Sequence, residues 1–318
     1  MLTWFPSPYP DELFYSVLCR YYLSSGIKEH NIVKRLLFGN RVGIKMATLY
    51  PNAAVHAVLS QLPEGVFDGH NVILHHTPFL YYTRMYPATE REALMDDLLQ
   101  GRSKTPTHLW RTFPKGDYAL RYCPLCVRED TQIYGEPYYH VEHQIPLSSV
   151  CVRHKCRLKQ IAVDNPRLAL NNRFYPLGTM GTDREPDMDV TPAELQVSEL
   201  VREYWRLPAS ISPPACNNLY QTLLNSGYMT IVRQNGLNVD RAKLYAALCD
   251  YHGAETVERV FGDNISGTMV NRIKTWEQLL PDRYILIQAM LDLPTKTVFG
   301  PEPIRDNLKE KIERMAKQ

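Results

Sequence analysis

Apolar side chains recur at helical spacing close to the start of the chain. They stand at Phe14, Val17, Leu18 and Tyr21. This spacing predicts an amphipathic helix. Pro10 and the two acidic residues after it are typical of a helix start, and Gly26 can end the helix. A second short helix is predicted through Ile32, Leu36 and Leu37, ending near Gly39. Two short helices around a glycine-containing turn fit a helix-turn-helix, and they fit a small helical core equally well.

Helical periodicity covers most of the remaining chain, with one interruption. Further helices are predicted at 69–76, at 90–100, near 191–206 and almost throughout the region from 215 onward, the last at 302–318. In residues 114–160 this periodicity disappears, and cysteine, proline, glycine and aromatic residues dominate. Residues 161–189 are predicted to be a connector. We therefore expect a mainly α fold, with a helical N-terminal domain at 1–113, an insert at 114–160 and a helical domain at 190–318.

Composition places the chain among globular proteins and leaves the predicted mainly α fold unchanged. Of 318 residues, 44% are hydrophobic and 22% are charged, which excludes wholesale disorder and suits about two domains. The net charge of +2 neither requires nor excludes a nucleic-acid partner. The apolar run 284–291 is shorter than the ~18 residues of a membrane span, and the first residues lack the pattern of a secretory signal. We expect a cytoplasmic protein without a membrane partner.

The strongest chemical motif is a set of cysteine and histidine residues in two pairs. Cys123 and Cys126 form one pair, and Cys151 and His154 form another after twenty-four residues, written C-x2-C-x24-C-x2-H. A gap of two residues lets both side chains of a pair reach one ion, and three sulfurs with one imidazole suit structural Zn²⁺. Residues 114–160 are thus predicted to form a zinc-ribbon or zinc-finger insert, with Cys156 as a fallback ligand if His154 points away.

The other cysteines and the enzyme motifs lead to weaker hypotheses. Cys19, Cys216 and Cys249 lie in helical patterns without a partner at ligand spacing, so they are predicted to be core residues. The segment 140–142 imitates the H-x-E of zinc deaminases, but the cysteine pair precedes it, in the wrong order. No phosphate-binding loop, dinucleotide fingerprint or serine-hydrolase elbow occurs. We expect a protein that is not an enzyme, with a zinc-dependent hydrolase or deaminase as the less favoured class.

Two parts of the chain resemble the TniQ/TnsD family of bacterial transposon target-selection proteins. The first is 5–18, which reads FPSPYPDELFYSVL. The second contains four motifs in the family's order: Tyr122-Cys123-Pro124-Leu125-Cys126, Gly135-Glu136-Pro137-Tyr138-Tyr139, His143-Gln144-Ile145-Pro146 and Cys151-Val152-Arg153-His154. Val152 replaces the family's proline and Tyr139 its frequent tryptophan, and neither change touches a ligand. The resemblance covers residues 1–160, and the region 215–295 looks like the extension of TnsD-type members.

The resemblance implies a non-enzymatic adaptor of the bacterial nucleoid. Such proteins bind a target DNA attachment site and recruit the AAA+ regulator TnsC, which engages the TnsA/TnsB transposase. The family also implies helix-turn-helix character in the C-terminal helical domain. An alternative is a TniQ-type scaffold, acting as a dimer on a CRISPR effector complex, that links this complex to TnsC without reading DNA. TnsD-type members are usually longer than 318 residues, so the chain is expected to be an amino-terminal portion or a shorter TniQ-type member.

Local charge and aromatic residues supply the candidate contacts for that role. Phosphates bind local positive charge, and residues 20–50 contain six basic residues against one acidic residue. The candidate phosphate contacts are Lys34, Arg35 and Lys45 in one patch and Arg241, Lys243, Arg272 and Lys274 in another. The candidate TnsC contacts are Trp4, Phe5 and Tyr9. The alternatives are an ordinary solvated surface for the basic residues and attachment of the first helix to the core for the aromatic residues.

Overall fold

The structure is a computed structural model of the chain. It describes residues 2–39, 53–63, 65–102, 119–161, 163, 172–179, 182, 185–213, 222–232, 236–261 and 281–299. The helices in these ranges are α1 (Phe14–Ser24), α2 (His30–Phe38), α3 (Ala53–Leu59), α4 (Gly69–His75), α5 (Phe79–Tyr82), α6 (Ala88–Leu99), α7 (Pro124–Tyr134), α8 (Val141–Gln144), α9 (Pro192–Arg206), α10 (Arg241–His252), α11 (Ala254–Phe261), α12 (Pro281–Met290) and α13 (Thr295–Val298). The prediction of a mainly α fold is confirmed. The predicted helix at 302–318 lies outside the described residues, as does Cys216.

Short antiparallel strand pairs accompany the helices. The strands are β1 (Arg121–Tyr122), β2 (Val150–Cys151), β3 (Cys156–Arg157), β4 (Lys159–Gln160), β5 (Met229–Val232) and β6 (Gly236–Val239), paired as β1–β4, β2–β3 and β5–β6. The β5–β6 hairpin corrects the prediction that the region from 215 onward is almost wholly helical. Met229 and Val239 are buried while Thr230 and Asn238 are exposed, an alternation typical of a half-buried hairpin.

The predicted N-terminal helices are present as α1 and α2. In α1 the predicted apolar residues Phe14, Val17 and Leu18 are buried. The chain leaves this helix just before Gly26, whose φ of 69° suits a residue without a side chain. In helix α2 the predicted Leu37 is buried together with Val33, whereas the predicted Ile32 and Leu36 are exposed.

The chain divides into two compact units whose bounds differ from the predicted segments. Unit 1 comprises 1–83 and 89–209, and unit 2 comprises 84–88 and 210–318. Unit 1 thus contains the N-terminal helices, the cysteine-rich stretch and α9 together. Helix α9 has an apolar stripe that contacts β2, α5 and α8, with Val201 and Tyr204 fully buried. This buried stripe explains why α9 belongs with the N-terminal half rather than with the helices that follow it.

Unit 2 has its own helical core. Helices α10, α11 and α12 pack on one another. Of the predicted face of α10, Leu244 and Leu248 are buried, whereas Tyr251 is exposed. Gly253, at φ 81°, separates α10 from α11.

Candidate metal centre

The first cysteine pair lies at the start of α7. Cys123 is the N-cap residue, Pro124 occupies the first helical position, and the backbone N–H of Cys126 donates to Sγ of Cys123 at 3.4 Å. The pKa of the Cys123 thiol lies well below its usual range, because Cys126 and Cys151 side chains and then the Cys126 N–H donate hydrogen bonds to its thiolate. A thiolate at a helix N-terminus also faces the positive end of the helix dipole. The Cys-Pro-x-Cys sequence therefore builds a ready metal-binding elbow.

The second pair lies on the β2–β3 hairpin. Cys151 ends β2, and its carbonyl accepts a hydrogen bond from the N–H of Lys155 at 2.7 Å, which closes the turn that carries His154. Lys155 has φ 52°, in the left-handed region that favours glycine. Cys156 then begins β3 directly opposite Cys151.

The two pairs meet, although twenty-four residues separate them. The ligand atoms of Cys123, Cys126, Cys151 and His154 all lie within 4.8 Å of one another. Nδ1 of His154 is 3.4, 3.3 and 3.5 Å from the sulfurs of Cys123, Cys126 and Cys151, and the sulfurs of Cys126 and Cys151 are 3.7 Å apart. A tetrahedron with ~2.3 Å metal–sulfur and ~2.05 Å metal–nitrogen bonds has edges of about 3.8 and 3.6 Å. The four side chains could therefore hold one metal ion.

The centre is screened from solvent by the protein. The four cysteine side chains at 123, 126, 151 and 156 are buried in one cluster, with Leu125 and Leu158 packed against it. His154 is half-buried and forms the more open corner. A dry, sulfur-rich environment suits an ion that holds segments together.

Glu129 completes the centre from outside, and sequence reasoning missed it. Its Oε1 lies 3.0 Å from Nε2 of His154, and its Oε2 lies 3.1 Å from the guanidinium of Arg153. An Nε2–H that donates to this carboxylate leaves Nδ1 with its lone pair toward the sulfurs. The available signal was its position three residues after Cys126, on the same side of the helix that starts at the site.

The segment that imitates a deaminase motif has structural partners instead. Nε2 of His140 lies 2.9 Å from Oδ2 of the buried Asp130. Glu142 faces the guanidinium of Arg202 at 3.3 Å, and burial raises the pKa of its carboxyl. His143 is buried beside Cys151, and burial lowers the pKa of its imidazole. His140 and Glu142 thus face charged partners, whereas neither ring nitrogen of the buried His143 has a hydrogen-bond partner among the described residues.

The N-terminal motif and the cysteine-rich stretch lie in contact. The N–H of Leu13 donates to the carbonyl of Tyr139 at 2.7 Å, and Glu12 pairs with His140 as an isolated β-bridge. The guanidinium of Arg20 lies 2.9 Å from the Glu12 carboxylate and 2.7 Å from that of Glu136. The two parts of the chain that carry the family resemblance thus pack directly against each other.

Four of the seven predicted phosphate contacts lie in the described residues. In unit 1, Nζ of Lys34 is 3.2 Å from Oδ1 of Asn172, and Arg35 is exposed. In unit 2, Lys243 donates to the carbonyl of Gly227 at 3.0 Å. Arg241 lies beside it in the first turn of α10, whereas Lys45, Arg272 and Lys274 lie outside the described residues.

The three predicted partner contacts have different environments. Phe5 is buried, with its ring 5.7 Å from those of Tyr21 and Phe67, so it fastens this segment to the core. Trp4 is 53% exposed and stacks on the outer side of Tyr21 at 6.2 Å. Tyr9 is half-buried, and Cζ of the Arg20 guanidinium lies 3.7 Å from the centroid of the Tyr9 ring. Burial supports the alternative of attachment to the core for Phe5, whereas Trp4 contacts the first helix and keeps an exposed ring.

Comparison with known proteins gives two findings. The TniQ family model matches residues 3–158, which include the whole candidate metal centre. The transposition protein TnsD of transposon Tn7 from Escherichia coli is 28% identical over 179 residues, covering 55% of this chain and 34% of that relative. The chain thus spans about a third of the length of this curated relative. No helix among the described residues is long and apolar enough to cross a membrane.

Proposed function

Because this chain is a TniQ/TnsD family protein, we propose that it is a target-selection adaptor of a transposition system. In this role it binds attachment-site DNA and recruits a TnsC-type AAA+ ATPase, which directs a TnsA/TnsB-type transposase. The observation that carries the proposal is the match of the TniQ family over 3–158, the region that also holds the Cys/His centre. The relative named above is a transposition protein, which supports the same role.

The metal in this proposal is a structural Zn²⁺ bound by Cys123, Cys126, Cys151 and His154. Three thiolates and one imidazole at tetrahedral spacing form a complete four-ligand shell, whereas catalytic zinc sites use three protein ligands and a water. This donor set supports a role that is not enzymatic. Zinc binding contributes about 10–16 kcal/mol in zinc-finger peptides, enough to join α7 to the β2–β3 hairpin.

Cys126→Ser tests the structural role of the metal. It is expected to abolish stoichiometric zinc, to unfold the 119–160 region and to abolish ATPase recruitment, because a serine oxygen is a poor zinc ligand. Zinc content by mass spectrometry and near-ultraviolet circular dichroism report the first two effects. Cys249→Ser, in α10, is the matched control and should keep the ion. A soluble, folded and active Cys126→Ser protein that holds no zinc would contradict the structural role.

Contact with DNA is proposed for basic residues on helix starts and exposed helix faces. Helices α10 and α11 join at Gly253, an arrangement compatible with a helix-turn-helix, and Arg241 and Lys243 stand in the first turn of α10. Arg35 offers an exposed cation on α2. Contact with the ATPase is proposed for Trp4, because exposed tryptophans are frequent binding hot spots.

A pull-down of a cognate TnsC-type ATPase with and without attachment-site DNA tests the function. The proposal expects retention that increases with DNA, and DNA affinity that falls steeply as salt rises. Retention of the ATPase with no DNA binding at any salt concentration would favour the scaffold that takes its target from an RNA-guided complex. Folded protein that binds neither DNA nor ATPase would exclude both roles.

A further inference from the structure

A further cysteine side chain borders the four-ligand centre on the side of Cys123. Sγ of Cys156 is 3.4 Å from Sγ of Cys123, and the Cys156 side chain is fully buried in the same cluster. The spacing of the two pairs already supplies four donors, so this fourth sulfur is a fifth donor, in excess of what a tetrahedral ion uses. Its position requires an explanation beyond simple packing.

Cys156 and His154 lie on the same hairpin and share a neighbour. His154 lies in the turn, Cys156 begins β3 two residues later, and β2 holds Cys151 directly opposite Cys156. Cys123 is 3.4 Å both from Nδ1 of His154 and from Sγ of Cys156. The Cys123 sulfur therefore has both donor atoms at about the length of one edge of a coordination tetrahedron.

His154 occupies the more exchangeable corner of the centre. The three cysteine ligands are buried, whereas the His154 side chain is 12% exposed and that of its partner Glu129 is 38% exposed. If the imidazole leaves the ion, Glu129 and solvent can still accept its hydrogen bonds. Release of any cysteine ligand would instead leave a thiolate in the dry cluster.

We propose that Cys156 is a reserve ligand, which takes the fourth coordination position when His154 leaves it. The centre then binds its ion as Cys₃His or as Cys₄, and this inference rests on the metal site proposed above. In the exchange the bond from the ion to Nδ1 breaks, the Cys156 thiol gives its proton to solvent, and a bond from the ion to Sγ forms. No electron is transferred.

The exchange predicts that the centre binds softer metal ions better than a fixed Cys₃His site does. Sulfur-rich donor sets favour softer ions. Zn²⁺ is expected to use His154, whereas Cd²⁺ is expected to recruit Cys156. The reserve ligand therefore protects the fold of the hairpin when the imidazole is lost or when a softer ion enters.

Three variants of the full-length chain test the proposal: His154→Ala, Cys156→Ser and the double variant. After loading with Co²⁺, metal content and the visible spectrum are measured. His154→Ala is expected to keep one ion per chain, with bands shifted to longer wavelength as sulfur replaces nitrogen. Cys156→Ser is expected to keep the ion and the wild-type spectrum. The double variant should bind at least about 100-fold more weakly than His154→Ala, because loss of a ligand costs more than loss of an outer partner.

Each other result overturns the proposal. Loss of the ion from His154→Ala means that Cys156 cannot replace the imidazole, and loss from Cys156→Ser means that Cys156 is an ordinary ligand. Retention by the double variant means that another donor fills the position. Absence of metal from the wild-type chain would instead overturn the proposed metal site itself.

A second measurement does not depend on the folding of His154→Ala. The ratio of Cd²⁺ to Zn²⁺ affinity is determined for wild type and Cys156→Ser by competition with a chelator. The ratio is expected to fall by about 10-fold or more in Cys156→Ser, the scale on which site partners change metal affinity. Cys19→Ser, a buried cysteine outside the cluster, is the matched control and should leave the ratio unchanged. An unchanged ratio in Cys156→Ser overturns the reserve ligand.

Discussion

Oε1 of Glu129 lies 3.0 Å from Nε2 of His154, one helical turn beyond Cys126. The contact orients the imidazole, because the nitrogen that donates to Glu129 is not the nitrogen that faces the sulfurs. Helix α7 thus begins with a ligand pair and, one turn later, supplies the outer partner of a ligand on another element. The geometry of the centre therefore depends on this helix both for two ligands and for the carboxylate that holds His154.

Glu129→Ala is expected to weaken metal binding by about 10–100-fold, the usual effect of removing an outer-shell partner. Glu129→Gln should have a smaller effect, because its amide oxygen still accepts the Nε2–H. Competition with a chromophoric chelator measures both affinities. Glu199→Gln, at an exposed position of α9, should match wild type. Equal affinities for Glu129→Ala and wild type would show that Glu129 does not orient His154.

Lys155→Gly is expected to stabilise the metal-loaded protein by about 0.5–1 kcal/mol. A non-glycine residue in the left-handed region costs about 1–2 kcal/mol, which the extra freedom of glycine in the unfolded chain partly offsets. Urea unfolding at fixed zinc concentration measures the change. Lys155→Ala is the matched control, because it removes the same side chain and retains the strain of φ 52°. Equal gains from both variants would attribute the effect to the lysine side chain instead.

Glu12 is expected to make the fold less stable as pH rises toward neutrality. Desolvation raises the pKa of its carboxyl to about 7, against a lowering by Arg20 and by the Tyr9 N–H, and its Oε1 has no hydrogen-bond partner among the described residues. The folded state therefore holds a proton that the unfolded chain releases above pH ~4.3. The stabilising contribution is complete below that pH, and it is lost as pH rises to about 7.

Glu12→Gln removes this pH dependence while keeping an acceptor toward Arg20 and Tyr9. The free energy of unfolding of the variant relative to wild type should rise by up to about 3 kcal/mol between pH 4.5 and 7.5. The difference between the two proteins cancels the titration of the metal ligands, which both share. A difference that stays flat over this range would mean that Glu12 is ionised throughout, held by Arg20.

Trp4 and Phe5 separate partner binding from stability within two adjacent residues. Trp4→Ala is expected to reduce retention of the TnsC-type ATPase with little change in unfolding free energy, because its ring is mostly exposed. Phe5→Ala is expected to cost about 3–5 kcal/mol, because its ring is buried among three others. Pull-down and urea unfolding measure the two effects. Undiminished retention by Trp4→Ala would remove Trp4 from the interface.

Local sequence determined the elements whose residues interact within a few positions. The start of α9 is an example, because Thr191 and Glu194 form the reciprocal capping bonds that their spacing permits. The two-residue gap of Cys123 and Cys126 likewise built an elbow by itself. Such features depend on the nearby backbone alone, so their residue types are sufficient to predict them.

Tertiary structure alone decided which other distant groups meet. Arg20 pairs with Glu136 across 116 positions, a contact that no spacing in the sequence predicts. The same holds for the placement of α9 in unit 1. The physical reason is that a side chain reaches only a few ångströms. Whether two distant side chains come that close depends on how the whole unit folds to bury its apolar surface.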